Sequence, residues 1–325
     1  MKIYFNPETD PAWNLALEEC MTRSLRGPGF MLWQNRPSVI VGRNQNTLAE
    51  INMPYLRSHN IPAVRRITGG GTVYHDYGNL NYSCMADMED QAFADFAPFA
   101  QPILHALRSM GLECVFSGRN DILIGERKIS GTAKTVSGKR ILFHGTLLFD
   151  ADLGILEEIL TPDPDKITFK GIRSVRARVA NIKEFLPGLT SETFREQILS
   201  SLLRQAGKTS PDMIPEELIK EATELANTKY RTDEWNMGAS PACTFHRKQR
   251  FPGGTVAVAL EIRQGVMEHV SITGDFFGER EIAGLETLLC GKRYSPEVIR
   301  ETLSGCELEK YLLNIPFDGF LNLFE

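Results

Sequence analysis

No stretch of this chain approaches the ~20 consecutive apolar residues that a membrane-spanning helix needs. Residues 1–7 also lack the apolar run of a signal peptide, so a soluble cytoplasmic protein with no membrane partner is expected. The six cysteines, at 20, 84, 114, 243, 290 and 306, form no CxxC pair and sit mostly among apolar neighbours. That spacing argues against zinc sites and disulfides and for buried, reduced thiols, leaving any metal to oxygen ligands. Basic residues are not in excess: 36 Lys and Arg stand against 41 Asp and Glu, a net charge of −5, which argues against nucleic acid as the main partner. Internal repeats and low-complexity tracts are missing too. What is present is 325 residues, 42% of them hydrophobic, long for one domain and comfortable for two.

Asp10-Pro11 is a helix opening, an N-cap followed by proline at N1. Trp13, Ala16, Leu17, Cys20 and Met21 then repeat at helical spacing, predicting a helix from 11 to about 25. Phe30-Met31-Leu32-Trp33 and Ser38-Val39-Ile40-Val41-Gly42 read as strands joined through Asn35-Arg36-Pro37. Phe96, Phe99, Ile103, Leu107 and Met110 predict a helix ending at Gly111, with Pro102 implying a kink or a later start. Residues 113–149 alternate short β-like runs with turns, Ser137-Gly138 among them, which puts Lys128 on a strand. Further helices are expected near 152–160, 191–206 and 214–227. A second module is expected from about Phe245: Val256, Val258, Leu260 and Ile262 alternate, Gln264-Gly265 turns the chain, and Val266, Val270 and Ile272 begin a partner strand before helices resume near Glu281.

The most informative stretch is Arg65-Arg66-Ile67-Thr68-Gly69-Gly70-Gly71-Thr72-Val73-Tyr74-His75-Asp76, three glycines between two β-like segments. A backbone without Cβ atoms lets a ligand come close, its N–H groups can receive phosphate or carboxylate oxygens, and a neighbouring Arg neutralises charge. A glycine-rich hairpin with arginines in water is the plain alternative. Three more clusters accompany it: Ser117-Gly118-Arg119-Asn120-Asp121-Ile122, Arg127-Lys128-Ile129-Ser130-Gly131-Thr132-Ala133, and Phe143-His144-Gly145-Thr146-Leu147-Leu148. A basic segment follows, Lys170-Gly171-Ile172-Arg173-Ser174-Val175-Arg176-Ala177-Arg178-Val179-Ala180-Asn181, preceded by Lys166; on its own it reads as a solvated basic loop.

In this order and spacing the motifs resemble the lipoate–protein ligase family, in the superfamily it shares with octanoyltransferases and biotin ligases. The resemblance runs from residue 1 to about 245. It implies an α+β fold: a mixed β-sheet catalytic domain flanked by helices over 1–244, and a small α+β accessory domain over 245–325. It also implies ATP and Mg²⁺ as cofactors, lipoate as substrate, and apo lipoyl domains of 2-oxoacid dehydrogenase complexes and glycine cleavage H protein as partners of a monomeric enzyme. In such enzymes a carboxylate, a poor electrophile near neutral pH, is first made an acyl-adenylate and then passed to a lysine. The site must bring two anions together and shield the mixed anhydride from water, which favours cations and preorganised backbone donors.

By resemblance, Lys128 is the catalytic cation, bridging the acyl carbonyl and phosphate oxygens; an exposed strand lysine is its plain alternative. Arg66 is implied to contact ATP, with Thr68, Gly69, Gly70, Gly71, Thr72, Val73, Tyr74, His75 and Asn79 around the nucleotide and acyl head. Arg65, on the opposite face of an extended strand, is expected to be structural. Ser130, Gly131, Ala133, His144, Thr146 and Arg178 complete the implied binding set, the last within what resembles the family's adenylate-binding loop. Asp121 is the expected Mg²⁺ ligand, or else simply the partner of Lys128. Leu32, Trp33, Val41 and Val73 are candidates for an apolar acyl channel. The alternatives are an octanoyl or lipoyl transferase working through a cysteine thioester, which would need an activated thiol near Cys84 or Cys114, a biotin ligase, and a non-catalytic lipoate-binding protein. The accessory module is expected to act as a lid during adenylation.

Overall fold

The computed structural model describes residues 1–45, 47–87, 97–117, 120–160, 178–237, 245–263 and 265–324. Gly118, Arg119, Cys243 and the basic segment up to Ala177 therefore lie outside the described residues. The chain divides into two compact units, one of Met1–Ile40, Glu50–Val64 and Val73–Thr232, the other of Val41–Ala49, Arg65–Thr72 and Asp233–Glu325.

A mixed sheet organises the first unit. Its strands are β1 (Lys2–Phe5), β2 (Gly29–Trp33), β6 (Asn79–Asp87), β7 (Cys114–Ser117), β8 (Asp121–Ile124), β9 (Arg127–Ser137) and β10 (Arg140–Leu148), in the spatial order β1-β2-β6-β10-β9-β8-β7. The β1–β2 pair is parallel and the other pairs are antiparallel. Strands β1, β2, β6 and β10 bury both faces in their middles, because helices cover that part of the sheet on two sides, whereas β7 at the edge leaves Val115 exposed. The helix Pro11–Ser24 carries the Asp10 N-cap and an N1 proline as read from sequence, and its Glu18 reaches Ser83 of β6 and His144 of β10. On the opposite face, Phe99 of the helix Ala97–Ser109 stacks on Phe143 of β10, and Phe194 of the helix Ser191–Gln205 stacks on Phe149.

The helix Ala97–Ser109 runs through Pro102 instead of starting after it. Pro102 lacks the N–H that would bond to the Pro98 carbonyl, and because Pro98 is exposed that carbonyl is not stranded in the core. The strands flanking the glycines, β4 (Ala63–Arg65) and β5 (Val73–His75), do not pair with each other. Both pair with β3 (Ser38–Val41), in the order β4-β3-β5. The glycine stretch is consequently a crossing loop and not a hairpin turn.

In the second unit β11 (Phe245–Phe251), β12 (Gly254–Arg263) and β13 (Val266–Gly274) form an antiparallel meander. The alternation read in β12 is real: Val256, Val258 and Leu260 are fully buried against Ile272, Leu285, Ile299 and Phe320. Each contributes about 1.5–3 kcal/mol of burial. Strand β11 escapes sequence reading because His246, Arg247, Lys248 and Arg250 give it no apolar alternation, which suits a charged edge strand.

Candidate functional site

The glycine loop folds around a guanidinium. Arg66 is buried; its Nε donates to Thr68 Oγ1 at 2.9 Å, and its Nη2 donates to the carbonyls of Gly69 and Gly71, both at 2.8 Å. Peptide units are planar and trans. The two carbonyls facing Arg66 therefore turn the N–H groups of Gly70 and Thr72 the other way, and the loop's outer side presents donors. Gly70 sits at φ +95°, a region costly for any residue with a Cβ. Among the described residues, its two chain neighbours aside, no atom lies within 4 Å of where a Cβ on Gly71 would stand. Gln45 ties the loop from below, its Oε1 accepting from Gly42 N–H and from Thr72 Oγ1, each at 2.9 Å.

Arg65 points away from Arg66 and into protein. Its donors go to the carbonyls of Gly42, Arg43, Gln45, Trp235 and Asn236 and to Thr47 Oγ1, at 2.6–3.2 Å. Burial pushes its pKa down to about 10, which leaves it cationic near neutrality. Of the adjacent arginines, one is thus a scaffold for loop 42–47, as expected. The other, expected beside ATP, grips the loop's own carbonyls.

The first unit holds the remaining site residues. Lys128 Nζ pairs with Asp121 Oδ1 at 2.8 Å, with each side chain about one-third exposed (34% and 36%). Such a pair is worth at most about 1 kcal/mol, so either partner can be drawn to a stronger ligand. The ammonium lies over Gly131, where a Cβ would come within 3.0 Å of it; glycine leaves room for the amine. Gly131 N–H donates to Thr146 Oγ1 at 3.3 Å. Ala180 N–H donates to Lys128 O at 2.9 Å, bringing the exposed Arg178 alongside β9. Asn120, whose side chain donates to Thr132 O and whose carbonyl accepts from Thr132 N–H, fixes the turn that delivers Asp121. Ser130 and Ala133 are buried, the latter opposite His144 in register.

Register places Trp33 opposite Asn81 and Asn81 opposite Thr146, with Ser83 opposite His144, all on one face of the sheet. There His144 Nδ1 meets both Glu18 oxygens at 2.9 and 3.0 Å; the same carboxylate accepts from Ser83 Oγ at 2.5 Å, and Ser83 Oγ accepts from Trp33 Nε1 at 2.7 Å. A second ladder runs from Asn79 to Asn81, whose amide, like that of Asn35, faces His75 Nδ1. His75 is therefore a buried, hydrogen-bonded histidine. Val73 and Tyr74 pair with Ile40 and Val39 in β5, and burial pushes the Tyr74 hydroxyl up to about 12.

Glu18, Ser83, Asn35 and Asn81 were not singled out from the sequence. A signal existed for Glu18: Asn14 and Glu18 stand four apart on the otherwise apolar face of one helix, which positions polar groups toward the sheet. For the strand residues only cross-strand register reveals the partner.

Four thiols, those of Cys20, Cys84, Cys114 and Cys306, are poor nucleophiles. Burial pushes Cys84 up to about 12 and Cys20 to about 11, and raises Cys114 and Cys306 as well. No group of three His, Cys, Asp or Glu among the described residues could hold a metal by itself. Nor, among them, is any helix long and apolar enough to cross a membrane.

Two family models cover the chain: the lipoyl protein ligase A/B catalytic domain over residues 10–203 and the bacterial lipoate protein ligase C-terminus over 240–324. Lipoate–protein ligase 1 of Staphylococcus aureus is 42% identical over 95% of both chains. Lipoate-protein ligase LplJ of Bacillus subtilis is 39% identical over 97% of this chain and 96% of its own. Among solved structures, P. falciparum LipL1 in complex with lipoate shares the fold, with a TM-score of 0.80 and 24% identity over 99% of this chain and 97% of its own. A bipartite lipoate protein ligase of Thermoplasma acidophilum, studied with its E2 lipoyl domain, gives 0.67 at 30% identity over 73% of this chain and 96% of its own. Lipoate-protein ligase A bound with ATP gives 0.62 at 28% over 73% and 98%.

Proposed function

The chain belongs to the lipoate–protein ligase family, and from that membership we propose that it joins lipoate to a lysine of lipoyl-domain proteins in two ATP-dependent half-reactions. In the first, a lipoate carboxylate oxygen attacks the α-phosphorus of ATP and pyrophosphate leaves, giving lipoyl-AMP. In the second, the acceptor amine attacks the acyl carbon, AMP leaves, and the amine sheds a proton. The observation that carries this reading is Lys128, a weakly paired ammonium lying over a glycine on β9, with its carbonyl and register partner held in place. That cation suits the negative charge that grows on the acyl and phosphate oxygens in both steps. The donors on the outer side of the glycine loop, at Gly70 and Thr72, suit an anion, with Arg66 keeping the loop in shape.

Asp121 fits Mg²⁺ as a single carboxylate, since this ion takes one or two protein carboxylates and completes its shell with phosphate oxygens and water. When bound, the ion would neutralise phosphate charge; Asp121 would then exchange its bond to Lys128 for the metal, leaving the lysine for the acyl-phosphate. Val73, Tyr74, His75, Asn79, Ser130, Gly131, Ala133, His144, Thr146 and Arg178 form the rest of the binding set in this reading. The catalytic domain spans 1–244 and the accessory domain 245–325. The acceptors are the lipoyl domains of 2-oxoacid dehydrogenase E2 subunits and glycine cleavage H protein. The enzyme acts in the cytoplasm as a monomer, without nucleic acid or membrane. The buried thiols speak against a cysteine thioester route.

The test is incubation with ATP, Mg²⁺, lipoate and an apo lipoyl domain, read by intact mass. A lipoyl mass gain that requires ATP is expected. Transfer from an acyl carrier protein thioester without ATP would replace this reading with the transferase, and lipoate binding without mass gain would replace it with a carrier.

A further inference from the structure

Two of the three glycines in the loop are shaped by the chain's own C-terminal residues. Within the second unit, residues 274–278 form the turn that follows β13. A Cβ on Gly69 would collide with the carbonyl oxygen of Phe276 and come within 3.3 Å of the Phe277 ring. On Gly70 it would stand 3.4 Å from the far edge of the same ring and 3.0 Å from Arg66 Nη2. A Cβ on Gly71 would meet nothing among the described residues beyond its chain neighbours. The loop's first two glycines are thus filled in by Phe276 and Phe277 on one side, while Arg66 holds the carbonyls of Gly69 and Gly71 on the other.

The turn that delivers these rings is itself fixed. Phe276 is fully buried in the core with Val258, Leu285 and Leu312, and Phe277 is 1% exposed, its carbonyl accepting from Leu313 N–H at 2.9 Å. Gly274 N–H donates to Asn44 O, and Glu281, just after the turn, pairs with Arg43, so the turn and the residues following it also grip the segment that carries Gly42 and Gln45. Gly42 in turn packs so tightly on the Gly70 carbonyl that no side chain fits there.

We propose that Phe276 and Phe277 are positioning residues for adenylation: they hold Gly69 and Gly70 in the shape that presents the loop's outer donors, while Gly71 alone keeps its space for the ligand. This rests on the ligase reading above and specifies how the C-terminal residues serve it. A loop released from the rings keeps its sequence but loses its preorganisation, and misplacement of donors by ~1 Å costs on the order of 100-fold in rate. Transfer from lipoyl-AMP, in which the phosphate is already bonded, depends far less on that shape.

The experiment uses the full-length chain and its Phe277→Ala and Phe277→Leu variants. Lipoate-dependent ATP–pyrophosphate exchange, transfer from supplied lipoyl-AMP, and amide hydrogen exchange over residues 68–72 without ligand are measured on each. For Phe277→Ala the expected result is a loss of exchange activity of ~10-fold or more, carried mainly by a raised KM for ATP, faster amide exchange in the loop, and transfer within about twofold of wild type. Phe277→Leu, which keeps most of the buried volume and protects against misfolding, should fall between. Unchanged adenylation and unchanged loop protection would overturn the inference, as would equal loss of both half-reactions with an unaltered loop. A wild-type chain without lipoate-dependent exchange would sink the ligase reading instead, and the loop's amide exchange would still report whether the rings position it.

Discussion

The Glu18 carboxylate and the His144 imidazole, 126 residues apart in the chain, meet at 2.9 Å between a helix and the central sheet. Both are buried, and Ser83 supplies the carboxylate's other donor. Removing one member of such a group strands the others away from water. Glu18→Ala is therefore expected to cost about 3–5 kcal/mol of folding stability. Denaturant unfolding of the variant checks this, and a loss under 1 kcal/mol would show that water reaches the gap.

Lys128→Ala removes the cation assigned to both half-reactions. Loss of one such contact typically lowers rate by ~10²–10³. Because the side chains of the Lys128–Asp121 pair are each about one-third exposed, stability should change by less than about 1 kcal/mol. Single-turnover adenylation and transfer are the measurements, and near-normal rates in a folded variant would remove Lys128 from the mechanism.

Cys84→Ser and Cys114→Ser should retain turnover, since burial raises both thiols away from the reactive thiolate. A folded but inactive cysteine variant, with acyl-enzyme visible by mass, would restore the thioester route.

Glu286 is half-buried, and the loss of solvent raises its pKa above the ordinary 4.5 despite the bond it accepts from Ile272 N–H at 2.7 Å. The folded state then binds the proton more tightly than the unfolded state. Stability is accordingly highest below the unfolded value and falls as pH rises from about 4.5 through the folded pKa. Glu286→Gln keeps an acceptor for Ile272 and removes the half-buried charge. Its melting temperature should exceed that of wild type at pH 7, with the gap closing below ~pH 4. A gap that stays constant with pH would contradict the assignment.

Local chemistry was legible without coordinates. Asp10-Pro11 opens a helix because an N-cap and a fixed φ act within one turn. The β12 alternation announced its buried face because side chains on a strand change sides at every residue. The motifs resembling the ligase family, and Lys128 on a strand among them, were likewise contiguous stretches of sequence. Tertiary structure alone decided which groups answer one another. It separated β4 and β5 by β3, so that the glycines cross and do not turn a hairpin. It gave Arg65 six acceptors drawn from residues 42–47 and 235–236, and wrapped the glycine loop around Arg66. It also set Phe276 and Phe277 against Gly69 and Gly70, some two hundred residues away. Periodicity and propensity act over a turn or a few residues of strand, whereas these partners are chosen by register and packing, which no local pattern encodes.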